Sequence, residues 1–221
     1  MTTDSPVEYE LTFLVPTSFN ALPLDFEYLE PVIRETADVI ASGASDEERE
    51  QFIQMLLAIM QHARDQNCAY FGAGALRAED DTILQATITA FIEKISTAPP
   101  ETVVAAALDG LQSKNDDRDL SVLELDAGPA VRDLHAVEYE SAPFGLPTTA
   151  VELQYYLPFP DGERIVLLSL TTPDVDYWKD LAEIMDNLME HTVFHPAEPA
   201  ESTAHEGQRD SISSVLNPDG N

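Results

Sequence analysis

The residues with the chemistry to act are few and scattered. Cys68, the one cysteine, and His135 would supply a thiol and an imidazole, the pair that a nucleophilic mechanism needs. Neither sits in a recognisable nucleophile motif, and a small cysteine at the start of an apolar run reads as core. His191 and His195 are separated by three residues, which suits zinc on a helix, but HTVFH reads as the end of a last strand, and His205 lies in a polar tail. Polar strand ends are the expectation there, not a metal site. Asn115, Asp117, Asp119, Ser121 and Asp126 imitate the ligand spacing of a calcium loop. Leu120 stands where that loop requires glycine, and Asp126 replaces the long bidentate glutamate, so a solvated acidic turn is the better reading. Gly72 and Gly74 form G-x-G after a strand, yet Arg77 occupies the third glycine's place and no helix follows. Close packing against a neighbouring strand accounts for both glycines. What survives is a pocket between sheet and helices lined by Tyr70, His135 and Tyr155.

The elements that would hold these residues are read from periodicity. Val151, Leu153, Tyr155 and Leu157 alternate with polar positions, a strand with one buried face that puts Tyr155 and Tyr156 on opposite sides. Pro158 to Gly162 breaks it with an Asp-Gly hairpin signal, and Arg164 to Leu170 is the continuous apolar run of an inner strand. Thr172, Pro173 and Asp174 open a helix whose apolar side carries Val175, Trp178, Leu181, Met185, Leu188 and Met189, with Trp178 as a core anchor. Earlier in the chain, Tyr9 to Val15 reads as a strand and Thr17 to Asp25 as a loop. Glu27 to Ala41 reads as a helix stopped by Gly43. Ser45 and Glu48 are spaced as a capping box opening the longest helix, to about Arg64. Cys68 to Arg77 is a strand, and Glu79 to Asp81 its turn. Ile83 to Ile95 fits a helix as well, but its alternation and its β-branched Thr87, Ile88 and Thr89 favour a strand. A helix over Glu101 to Leu111 and strands over Leu120 to Leu125 and Ala130 to Tyr139 complete the list, with no internal repeat.

The stretches LVPTSFNALPLD (Leu14 to Asp25), CAYFGAGAL (Cys68 to Leu76), DAGPAVR (Asp126 to Arg132) and YYLPFPDGERIVLLSLTTPD (Tyr155 to Asp174) resemble a family of uncharacterised actinobacterial proteins. The last, continued to Phe194, also resembles the C-terminal half of PsbP-like α-β-α sandwiches. The resemblance covers most of residues 9 to 195. It implies an antiparallel sheet with helices on its faces and a non-enzymatic partner protein, and it brings no catalytic set.

Charge narrows the function. Against 41 acidic residues stand 11 lysines and arginines, a formal net charge of -30. Such a chain repels nucleic acids and anionic membranes. The apolar fraction of 44% supports a real core. Met1 to Glu10 does not read as a signal segment, and no run approaches a membrane span, so the expected location is the cytoplasm. The expectation is one α+β domain over residues 7 to 195, a twisted antiparallel sheet flanked by α-helices in a PsbP-like sandwich, followed by an acidic disordered tail over 196 to 221. It needs no cofactor. Its expected role is a non-catalytic interaction module that binds a basic protein, in the manner of an immunity-like or secretion-associated factor. A small-ligand binder or enzyme using the Tyr70, His135 and Tyr155 pocket is the contrasting reading.

Overall fold

The computed structural model describes residues 7–22, 24, 26–40, 45–66, 68–78, 80–114, 117–139 and 148–197. Gly43, Glu79, Asn115, His205 and the tail from residue 198 lie outside the described residues, as does the side chain of Glu48. The elements are β1 (Tyr9–Thr12), β2 (Phe19–Ala21), α1 (Phe26–Ile40), α2 (Asp46–Asp65), β3 (Cys68–Arg77), β4 (Ile83–Lys94), α3 (Pro100–Gln112), β5 (Arg118–Leu125), β6 (Gly128–Tyr139), β7 (Thr148–Pro158), β8 (Arg164–Thr172), α4 (Trp178–Glu190) and β9 (Val193–Pro196).

Seven strands form one antiparallel sheet in the order β2-β3-β4-β8-β7-β6-β5. The chain builds the β3-β4 hairpin first, crosses through α3 to the far edge, and returns as a meander from β5 until β8 fills the slot beside β4. A central position for β8 is what its unbroken apolar run requires. A separate ribbon pairs β1 with β9, so the two ends of the described chain close on each other.

Period-2 alternation sorts side chains onto two faces. One face carries Tyr70, Ile88, Ala90, Leu153, Tyr155, Leu157, Val166, Leu168 and Leu170, packed against α4 and against Leu11 and Phe13. On α4 the buried residues are Leu181, Ala182, Met185, Leu188 and Met189, at helical spacing. The opposite face has two helical covers. Ile33 and Ala37 of α1 and Ile53, Met60 and Ala63 of α2 lie in one core with Cys68, Phe71 and Ala73 of β3. Val104 and Leu111 of α3 pack with Val131 of β6, Leu120 and Tyr156. The protein is thus α+β, with helices on both faces of an antiparallel sheet.

Several local expectations are corrected. The loop Thr17 to Asp25 contains strand β2, because Phe19 is pulled into the core (3% exposed) opposite Gly74. Thr172 does not cap a helix. It ends β8, where its hydroxyl donates to Gln85 O and accepts from Asp174 N–H, and a 3-10 turn over Val175–Tyr177 precedes α4. Val175 is therefore exposed rather than part of the helix stripe. The glycines of β3 answer to packing. A Cβ on Gly72 would lie 2.5 Å from the Tyr70 hydroxyl, and one on Gly74 would lie 2.7 Å from the Phe19 ring.

The Asp-Gly hairpin between β7 and β8 ties this architecture to the terminal ribbon. Arg164 donates to Asp161 and to Tyr9 O, and its guanidinium lies 4.1 Å from the centre of the Phe159 ring, which in turn packs on Phe194. A planar cation suits this post, since it hydrogen-bonds at its edges while stacking on its face.

Candidate functional site

Two polar constellations sit back to back on strands β5 to β7. They are separated by the sheet because successive residues of β6 point in opposite directions. Arg132 faces α4, and Asp133 faces α3.

On the α4 side, Arg132 Nε donates to Asp186 Oδ1 at 3.2 Å, and the Tyr155 hydroxyl donates to the same oxygen. Tyr155 is fully buried, Arg132 is mostly buried and Asp186 is at the surface. Burial works against the Arg132 charge, but the hydrogen bond and charge of Asp186 outweigh it and hold the guanidinium above its ordinary value. Burial first, then Asp186, pushes the Tyr155 phenol well above its ordinary value. These groups border a cleft of about 360 Å³ between α4 and the outer strands, completed by Ser121, Leu123 and Leu125 of β5 and by Met189 and Glu190 of α4.

On the α3 side, Arg118 Nη1 donates to Asp133 Oδ2 at 2.5 Å, with the Arg118 side chain 10% exposed and that of Asp133 wholly buried. Asp133 Oδ1 lies 3.2 Å from His135 Nδ1, without hydrogen-bond alignment. His135 Nε2 lies 3.6 Å from Glu152 Oε2, which accepts from Gln154, whose own oxygen accepts from the Tyr156 hydroxyl. Burial and then the Asp133 charge push the Tyr156 phenol up to about 12. His135 Nδ1 also lies 3.3 Å from Arg118 Nη1, so the imidazole sits among a guanidinium and two carboxylates. Here both ring nitrogens face groups of the network itself, so the arrangement pins three strands together under α3.

The structure divides the residues singled out from the sequence. Tyr70 and Tyr155 share the α4 face and even the same transverse row, Tyr70 pairing with Ala90, Ala90 with Leu168 and Leu168 with Tyr155. Tyr70 is buried against Phe13 rather than open to a cleft, and burial pushes its phenol up to about 12. His135 points to the other face, since it pairs with Glu152 while Tyr155 pairs with Arg132. Of the three, Tyr155 alone lines the cleft. Cys68 and His135 are kept apart by β4, β8 and β7, and the thiol, raised by burial, donates to Tyr70 O. His191 follows α4 and His195 lies in β9, both exposed. Asp119 and Ser121 belong to a strand rather than a loop, and no group of three metal-ligating residues converges among the described residues.

Arg132, Asp186 and Glu190 were missed. A signal for the first was present: with so few cations in the chain, an arginine in mid-strand, in PAVRDLH, demands a carboxylate partner. Asp186 gave none, because it looks like any solvated residue on the polar side of a helix.

The buried tyrosines give a direct test of this geometry. Raised folded-state values mean that the neutral phenols favour folding. That contribution is complete below about pH 10, the ordinary tyrosine value, and is lost as pH rises through the folded values near 12 for Tyr70 and Tyr156. Phenolate absorbance in an alkaline titration should show Tyr70, Tyr155 and Tyr156 titrating late or together with unfolding. Ordinary titration of all seven tyrosines would contradict their placement.

No family model and no curated protein matches the chain. Among solved structures it is similar to the crystal structure of LpqN, described as involved in cell envelope biogenesis of Mycobacterium tuberculosis. The two are 16% identical with a TM-score of 0.46, and the match covers 88% of each chain. The cytoplasmic location expected from the sequence is withdrawn, since the similar protein is described as involved in cell envelope biogenesis. No helix among the described residues is long and apolar enough to cross a membrane, which by itself assigns no compartment. A likeness at this level carries nothing further about function.

Proposed function

We propose that this protein is a non-catalytic binding module for a basic protein partner and that the cleft between α4 and β5 to β7 is its binding site. One observation carries the reading. In the cleft the cation Arg132 is already matched by Asp186, while Glu190 stands at the surface beside the apolar Leu123, Leu125 and Met189. Such a lining receives a lysine or arginine, with its aliphatic stem on the apolar wall and its charge at the acidic rim. The net charge of -30 draws a basic partner to it and makes association salt-sensitive. A small cationic ligand is the second reading, favoured by a cavity volume in the range of small-molecule sites. The finer fold reading, a PsbP-like sandwich related to actinobacterial proteins, belongs to the same proposal, and helices on both sheet faces support it.

The test compares two charge reversals of equal size. Polylysine binding, followed by calorimetry at low and high salt, should weaken about tenfold in Glu190→Lys. It should stay near wild type in Glu101→Lys, which reverses an exposed charge on α3, across the sheet. Equal loss in both variants would mean that polylysine reads net charge alone, and the cleft would lose its role.

A further inference from the structure

Among the described residues, the cleft opens onto a sheet edge with no strand beyond it. Strand β5 is the last in the sheet and pairs only with β6 among the described residues, in unbroken register from Arg118 to Leu125. Of the devices that normally blunt an edge it carries charges alone, with no proline, no lysine, no bulge and a length of eight residues. The opposite edge, β2, is three residues long. Val122, at the middle of β5, is 46% exposed on the α3 side, and Leu123 and Leu125 line the cleft on the other. The exposed charges along this edge, at Asp117, Asp119, Glu124 and Asp126, are all acidic, and the basic Arg118 is turned inward to Asp133.

We infer that the partner docks by strand addition, an extended basic segment of another protein pairing with the outer edge of β5. The inference rests on the binding role proposed above and specifies its mode. Alternation then sends one row of partner side chains toward the cleft, where basic residues meet Asp119 and Glu190. The other row goes toward the α3 side, where apolar residues cover Val122. Main-chain hydrogen bonds supply affinity, and the two rows supply specificity. A second copy of this chain is the poorer occupant, because it would bring another 41 acidic residues to an acidic edge.

The probe is a short synthetic peptide alternating valine and lysine, used with the full chain. In an added strand, all lysine N–H groups point to one side and all valine N–H groups to the other. The peptide should therefore bind in a salt-sensitive way. N-methylation of one residue type should weaken binding by about tenfold or more, and N-methylation of the other should leave it unchanged. Equal effects of the two methylations overturn strand addition while leaving the cleft reading intact. Failure of every cationic peptide to bind at low salt overturns both. A dimer in solution that Val122→Asp dissociates assigns the edge to a second copy and also overturns the proposal.

Discussion

Replacing Asp133 by alanine should lower the unfolding free energy by about 3–5 kcal/mol, the usual cost of removing one member of a buried ion pair. The carboxylate is wholly buried on the α3 face of β6 and receives the Arg118 guanidinium at 2.5 Å. Without it, an Arg118 side chain that is 10% exposed loses its nearest counter-charge, and His135 loses one of the two groups beside its Nδ1. The companion double variant, Arg118→Met with Asp133→Leu, should recover most of the loss, since removing both charges removes the desolvation cost along with the attraction. Urea unfolding of wild type, Arg118→Met, Asp133→Leu and Arg118→Met/Asp133→Leu, the four proteins of a closed cycle, gives the coupling directly. A single-variant cost below about 1 kcal/mol would be the behaviour of a solvated pair and would contradict this burial. The result also bears on function. If the network is structural, polylysine binding at the cleft should survive Arg118→Met/Asp133→Leu, because the sheet separates the two constellations.

Gly162→Ala should cost about 2–4 kcal/mol, combining left-handed backbone strain with a steric clash. Gly162 has φ +68°, and a Cβ there would lie 2.1 Å from Ala98 O, an atom of the main chain. Ala98 cannot move away cheaply, because its N–H donates to Gly162 O at 3.0 Å, and Pro99 with Pro100 follows to start α3. The hairpin turn is thereby fastened to the segment that carries the chain from the centre of the sheet to its far edge. Gly110→Ala is the contrasting substitution. It lies within α3 with nothing within 4 Å of a Cβ, and it should stabilise by about 0.5–1 kcal/mol. Chemical denaturation of both variants separates a glycine required by space from one that merely costs entropy. Similar small effects in the two would mean that the contact between Gly162 and Ala98 is loose.

These two experiments probe the frame on which the proposed binding surface is built. The Asp133 network holds β5, β6 and β7 together beneath α3, and the same three strands supply one wall of the cleft and its free edge. Loss of the network in Asp133→Ala should therefore soften β5 first. Amide exchange along Arg118–Leu125 would register this before global unfolding.

Most elements of the fold were legible because their signals are local. The alternation at Val151 to Leu157 and the apolar run at Ile165 to Leu170 depend only on neighbours in sequence, and so does the stripe Leu181, Met185, Leu188. Where two periods competed, over Ile83 to Ile95, the β-branched Thr87, Ile88 and Thr89 decided for a strand, and β4 is one. The central place of β8 also followed from its composition, since a strand covered on both sides must be apolar throughout. The misreadings came where a distant partner overrode local preference. The segment at Phe19 became a strand because Gly74, far along the chain, leaves room for its ring. Thr172, which reads as a cap, was taken instead by the main chain of Gln85.

The site lay beyond the sequence for the same reason. Residue types named Tyr70, His135 and Tyr155, but which of them can meet is set by strand order and pairing parity, and neither is encoded locally. Parity put His135 on the other side of the sheet. Strand order left β5 as an edge, and the docking of α4 brought Asp186 onto Arg132 and Tyr155. The sequence by itself determined the elements, the acidity and the buried faces, because these are sums over nearby residues. Only the tertiary structure decided which charges were matched and which strand ends the sheet among the described residues, because both depend on contacts between segments that are far apart in the chain.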